Sequence, residues 1–223
     1  MSYIRLHKEE NSSIVFFQEV DMSKAKDKML GRIHAKAAGW VFLPKDFLDL
    51  VGRGTVDKLL HQLAANGTIR RIMRGLYFQP RHSDFLKAQI GPTHDQIAQA
   101  VARKHRWTIL PQGATAANML GLSQQIPAKV AYLSNGPTKT FKSDQLQIEF
   151  RHAQPKELDF KQYESAMVVQ AMRYMGKENI QPWMVARLRE VLPDKVKRRL
   201  VADTRYATEW MFRLAQEIAE VNA

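Results

Sequence analysis

Apolar residues return every four positions from Ala25 through Met29, Ile33 and Ala37, and lysines fill the other face. That period predicts a helix opened by Ser23 as its N-cap and stopped by Gly39. A short apolar run over 40–43 leads to Pro44, and residues 44–50 predict a short second helix, because proline suits a first helical turn. Gly52 and Gly54 mark a turn, and Thr55 is the expected cap of a third helix. In that helix Val56, Leu59, Leu60 and Leu63 share one face, until Asn66 and Gly67 end it. Two extended runs follow, at 68–72 and Leu76–Phe78, joined by the basic turn Met73-Arg74-Gly75. Three helices and then a basic ribbon predict a winged helix-turn-helix over residues 22–82.

Pro80, Gly91 and Pro92 break regular structure, so residues 83–93 read as a linker. Residues 94–223 have a different texture. Thr93 opens a helix with Ile97 and Val101 on its core face. A strand is expected at 107–110, a short helix at 114–120, a strand at 129–133, and a hairpin from 138–142 and Leu146–His152. Helices follow at Tyr163–Met175, 183–191, 194–201 and 205–221, the last carrying the stripe Ala207, Trp210, Leu214, Ile218 and Val221. The expected fold class is α+β: an N-terminal winged helix-turn-helix, then a mixed α/β domain with a helical C-terminal half. Residues 1–21 stand apart as an N-terminal arm, whose apolar run at 14–17 reads as a strand or as a segment that docks on another subunit.

Charge sharpens this picture. The chain carries a formal net charge of +12, and residues 22–82 hold twelve Lys/Arg against four Asp/Glu, or +8. A concentrated basic field attracts phosphate and gains free energy from counterion release. With the apolar face of the third helix inward, Thr55, Asp57, Lys58, His61 and Gln62 point out, and Arg53 stands just before the helix. Arg70, Arg71 and Arg74 put three guanidinium groups within five residues of the ribbon, suited to phosphate oxygens and narrow minor grooves. Strict alternation would turn Arg71 inward. The expected DNA contacts are therefore Arg53, Thr55, Lys58, His61, Gln62, Arg70, Arg71 and Arg74; the plainer alternative is a solvated basic surface. The cluster Lys195, Lys197, Arg198 and Arg199 either extends that footprint, meets an acidic partner, or is a solvated helix face.

No catalytic constellation emerges. The chain has no cysteine, which excludes disulfides, thiolate zinc sites and a cysteine nucleophile. Its seven histidines lack metal-ligand spacing, and HExxH, GxSxG and Walker-type loops are absent. The adjacent His94 and Asp95 read as capping or surface residues, Gln112–Thr115 as a strand-to-helix turn, and His152 as structural. No enzyme, metal or cofactor is expected. No run reaches the ~18 apolar residues of a spanning helix, and the N-terminus lacks the order of a secretory signal. A cytoplasmic protein is the expectation.

Residues 111–123 (PQGATAANMLGLS), 126–140 (IPAKVAYLSNGPTKT) and 148–152 (IEFRH) resemble the C-terminal domain of the AbiEi-type antitoxins of type IV, abortive-infection toxin–antitoxin systems. The Tyr-Leu strand with its Asn-Gly-Pro turn is the most specific element. The ribbon at 71–77 (RIMRGLY) is similar to the wing that this family places ahead of that domain. The resemblance spans roughly residues 24–220, and longer family members have a larger C-terminal region. It implies a bacterial double-stranded-DNA-binding repressor of its own operon. Winged-helix repressors often read inverted repeats, which favours two wings per operator, from a stable dimer or from two monomers meeting on the DNA. The resemblance also implies a nucleotidyltransferase-like toxin as functional partner, without direct binding. The alternatives from the residues themselves are a protein-interaction module and a transcription regulator unconnected to any toxin.

Overall fold

Helix α1 (Met22–Ala35) buries Ala25, Met29 and Ile33, the first three members of the four-residue series. It ends before the fourth, since Ala37 is exposed and outside the helix. Ser23, the expected cap, lies within α1, one residue past Met22. The structure, a computed structural model, describes residues 22–83, 87–125, 129–143 and 146–220. The N-terminal arm with its run at 14–17, and Val221 of the C-terminal stripe, lie outside these residues.

After α1 the chain passes through β1 (Val41–Phe42) to a 3-10 turn, Pro44–Phe47, in place of the longer second helix expected from Pro44. The Asp46 carboxylate accepts the Leu43 N–H at 2.8 Å and so closes the turn. Asp49 is drawn off to Arg32, which meets both its oxygens at 2.7 and 2.6 Å. Helix α2 (Arg53–Ala65) starts earlier than the expected cap at Thr55. Gly52 is the extended N-cap, and its carbonyl accepts the Val56 N–H at 3.1 Å. Thr55 therefore sits inside the first turn, half-buried. No side chain caps this end, so no Ser, Thr or Asp marks it in the sequence.

Strands β2 (Arg70–Met73) and β3 (Leu76–Phe78) form the expected hairpin, and β1 pairs with the free edge of β3, giving the order β1-β3-β2. Gly75, at φ 77°, takes the left-handed conformation that the turn requires. Phe42, Phe47, Ile69 and the apolar faces of α1 and α2 fill one core, with Phe42 edge-on to Phe47 at 5.6 Å.

The stretch read as a linker contains structure of its own: β4 (Arg81–Ser83) pairs antiparallel with β5 (Ala88–Ile90). Helix α3 (His94–His105) follows, opened by a reciprocal box in which Thr93 and Gln96 exchange side-chain-to-backbone bonds at 2.8 and 3.2 Å. Beyond it lies a four-stranded sheet of order β6-β7-β9-β8, made by β6 (Ile109–Pro111), β7 (Val130–Ser134), β8 (Lys139–Ser143) and β9 (Leu146–His152). The β8–β9 hairpin is as expected, whereas the central pair β7–β9 runs parallel. Helix α4 (Gly113–Met119) links β6 to β7.

Four helices close the chain: α5 (Tyr163–Met175), α6 (Pro182–Val191), α7 (Asp194–Thr204) and α8 (Glu209–Ile218). They bury Val168, Met172, Leu188, Leu200, Met211 and Ile218 in a second core with Ala116 and Ala117 of α4. Ala207 precedes α8, whose N-cap is Thr208. A third core joins the two halves: Val41, Leu43 and Leu76 of the first sheet region pack with Ile97 and Val101 of α3 and with Tyr132, Ile148 and Phe150 of the second sheet. The fold is α+β.

Candidate nucleic-acid interface

Helix α2 turns Lys58, His61 and Gln62 to solvent opposite its buried leucines. Arg53 is also exposed and pairs with Asp57 through a 2.8 Å contact in which both side chains are about half exposed (56% and 49%). Such surface pairs contribute ~0–1 kcal/mol, so a phosphate can compete for Arg53. Of the eight expected contacts, Thr55 alone is partly withdrawn from solvent.

In the hairpin Arg70, Arg71 and Arg74 are all exposed. Arg71 does not turn inward: it pairs in register with Tyr77, just ahead of the bulge between Arg71 and Met73, and its Nε donates to the Met73 carbonyl at 3.4 Å. Leu76 takes the buried position on the partner strand. The side chains of Lys58, His61, Gln62, Arg70 and Arg74 form no ion pair with a described residue. The cations of Lys58, Arg70 and Arg74 are thus available to an outside partner.

The basic surface does not stop at the hairpin. The Lys104 ammonium, at the C-terminal end of α3, donates to the Arg74 carbonyl at 3.0 Å. Burial lowers its pKa first, and the neighbouring cations Lys139, Arg74 and Lys45 lower it further. His105 is lowered in the same way, by burial and then by Lys104, Lys139 and Lys45. Its ring stacks on Trp107 at 4.6 Å and stands 5.9 Å from Phe141, over which Lys139 Nζ sits at 5.1 Å. Lys45, Arg74, Lys104 and Lys139 thus come from four separate elements and repel one another. Sequence reading misses Lys45, Lys104 and Lys139, since their only signal is a cationic last turn on α3, ordinary for a helix C-terminus.

Some basic residues elsewhere are paired within the molecule. Arg103 donates to the Val41 carbonyl and to Asp46, both at 2.9 Å, fastening α3 to the N-terminal half. The expected cluster on α7 divides: Arg199 binds Asp203 at 2.5 Å, whose side chain is 5% exposed, and Lys197 meets Asp194 at 3.4 Å. Asp203 also accepts the Ser165 hydroxyl at 2.7 Å, which ties α7 to α5. Lys195 and Arg198 are the exposed members.

Asp95 is more than a surface residue. Its Oδ1 accepts hydroxyl hydrogen bonds from Tyr132 and Tyr163, both at 3.0 Å, so one carboxylate oxygen joins α3, β7 and α5. Burial, and then the Asp95 charge, raise both phenols well above their ordinary pKa, which keeps them donors. The Asn-Gly-Pro turn after β7 is likewise structural. Asn135 Oδ1 accepts the Thr108 N–H at 2.9 Å, Ser134 Oγ accepts the Gly136 N–H at 3.0 Å, and His152 Nδ1 lies 3.0 Å from the Gly136 carbonyl. A Cβ on Gly136 would lie 2.2 Å from the Trp107 ring.

Among the described residues no group of three or more His, Asp or Glu is placed to hold a metal ion. No described helix is long and apolar enough to cross a membrane.

Fold and surface together define an α+β protein with a basic hairpin-and-helix face docked on a mixed sheet. Residues 28–200 match the family of unknown function DUF6088, and the chain belongs to that family. No curated protein matches the sequence. Among solved structures, the chain is similar to the crystal structure of the RV2827C protein from Mycobacterium tuberculosis, with 16% identity over 89% of this chain and 76% of that chain, and a TM-score of 0.41.

Proposed function

We propose that the protein is a double-stranded-DNA-binding transcription regulator whose residues 22–78 work as a winged helix. The observation that carries this reading is the set of exposed cations on α2 and the β2–β3 hairpin that pair with no described residue, Lys58, Arg70 and Arg74 foremost. The element order α1, β1, 3-10 turn, α2, β2, β3, with β1 on the outer edge of β3, supports this reading, with the 3-10 turn in the place of the second helix. In this reading α2 enters the major groove with Lys58, His61 and Gln62, and the hairpin arginines lie along the neighbouring backbone or minor groove. Lys104 and Lys139 extend the phosphate-contacting surface onto the second half. Such a protein works in the compartment of the chromosome, the cytoplasm of a bacterium.

The resemblance of the second half to the AbiEi-type antitoxins supplies the biological role in this proposal: autorepression of an operon that also encodes a nucleotidyltransferase-like toxin. Footprinting of the purified full chain on DNA upstream of its own gene tests it. The expected result is protection of an inverted repeat, with two copies bound per site. Protection that is absent, or equal on unrelated DNA, overturns the sequence-specific reading.

A further inference from the structure

At the amino end of α3, between α4 and β7, lies a cavity of about 400 Å³, within the ~300–1,000 Å³ range of small-molecule sites. Val130 and the buried ring of Tyr132 line its apolar side, and Met119, 38% exposed, stands at its mouth. Its polar side is unbalanced. Asp95 has Oδ1 filled by two phenols, while Oδ2 receives no hydrogen bond from a described residue. Asn118 spends its amide N–H groups on the Ser123 and Gln125 carbonyls at 3.2 and 3.1 Å, which fixes the amide and leaves its Oδ1 unused among the described residues. The Thr115 hydroxyl oxygen already accepts the Ala131 N–H at 3.0 Å. Thr93 and His94, both exposed, complete the lining, and no lysine or arginine belongs to it.

A half-enclosed anionic acceptor beside a second open acceptor and an apolar wall selects a ligand that donates. We propose that this cavity binds a small organic cation, an amine or amidine carried on an apolar or aromatic body. Its N–H groups meet Asp95 Oδ2 and Asn118 Oδ1 in charge-assisted hydrogen bonds, and its body lies against Met119, Val130 and Tyr132. A chain of net charge +12 repels cations at long range, so cation binding reports this local site and not a diffuse field.

The test is titration of the full-length protein with benzamidine and with phenethylamine, followed by NMR and calorimetry. Benzyl alcohol and benzoate, of similar body but without the cation, are the controls. Saturable one-to-one binding is expected for at least one cation, with Kd of about 1 mM or tighter, at least ~10-fold stronger than benzyl alcohol, and with no binding of benzoate. Asp95→Asn keeps an acceptor for the two phenols and weakens binding at least ~10-fold, a loss of about 1.4 kcal/mol. Met119→Trp fills the mouth without touching the carboxylate and abolishes binding; it decides the matter if Asp95→Asn fails to fold. No saturable binding of either cation at about 20 mM, equal binding of benzyl alcohol, or unchanged affinity in the folded variants overturns the proposal.

Discussion

Lys104 donates from the end of α3 to the backbone carbonyl of Arg74, at the tip of the β2–β3 hairpin, across 3.0 Å. The bond makes the hairpin a fixed projection of the body of the protein, and it carries cations of the second half up to the tip. Lys104→Ala with Lys139→Ala is expected to weaken DNA binding at low salt and to reduce the slope of log K against log salt by about one to two. Fluorescence anisotropy over a salt series measures both. An unchanged slope in the folded double variant limits the interface to α2 and the hairpin.

Alkaline stability follows from the two phenols on Asp95. Their folded pKa values are raised by burial and by the Asp95 charge, whereas an unfolded tyrosine titrates near ~10. A raised pKa in the folded state means that the unfolded chain loses its protons first. The stability these groups contribute is complete below about pH 10 and is lost as pH rises beyond it. Thermal unfolding between pH 8 and 11 should show this decline, flattened in the Tyr132→Phe, Tyr163→Phe double variant.

Gly136 is expected to tolerate no side chain. A Cβ there falls 2.2 Å from Trp107, and that ring is held between His105 and Phe150. Gly136→Ala should cost about 1–3 kcal/mol, the usual penalty of overpacking, read by urea unfolding. Trp107→Ala should recover part of the loss in combination, because it removes the obstacle; a loss fully additive with it would contradict the steric account.

Asp203 holds α5 and α7 together through Ser165 and Arg199. Asp203→Ala should cost about 1.5–3 kcal/mol, the range for hydrogen bonds to a charged group, while DNA affinity at a temperature where the variant is folded stays that of the parent. A variant of unchanged stability would show that the buried pair does not hold the helices.

Where the pattern is local and amphipathic, sequence and structure agree closely: α5 spans Tyr163–Met175, and β3 and β9 keep their expected limits. Disagreement arises where backbone groups do the work of side chains. The start of α2 has no side-chain cap to mark it, and the β4–β5 hairpin is held by main-chain pairing beside a Gly-Pro break. Long-range pairing is a second blind spot. Asp95 meets Tyr132 and Tyr163 across sequence separations of 37 and 68, and the parallel β7–β9 pair has no local signature. The exposed arginines were legible because a capped helix and a ribbon frame them; Lys45, Lys104 and Lys139 converge only through the packing of α3 on the first sheet.

The central claim, that the cations of α2 and the hairpin hold duplex DNA, is tested most directly by the salt dependence of binding to the upstream operator. The full-length protein and its Arg70→Ala, Arg74→Ala variant are compared, with folding checked by circular dichroism. The account predicts a steep negative slope for the parent, and a slope shallower by about two, roughly one per lost phosphate contact, for the variant. An identical slope and affinity in the folded variant would contradict it.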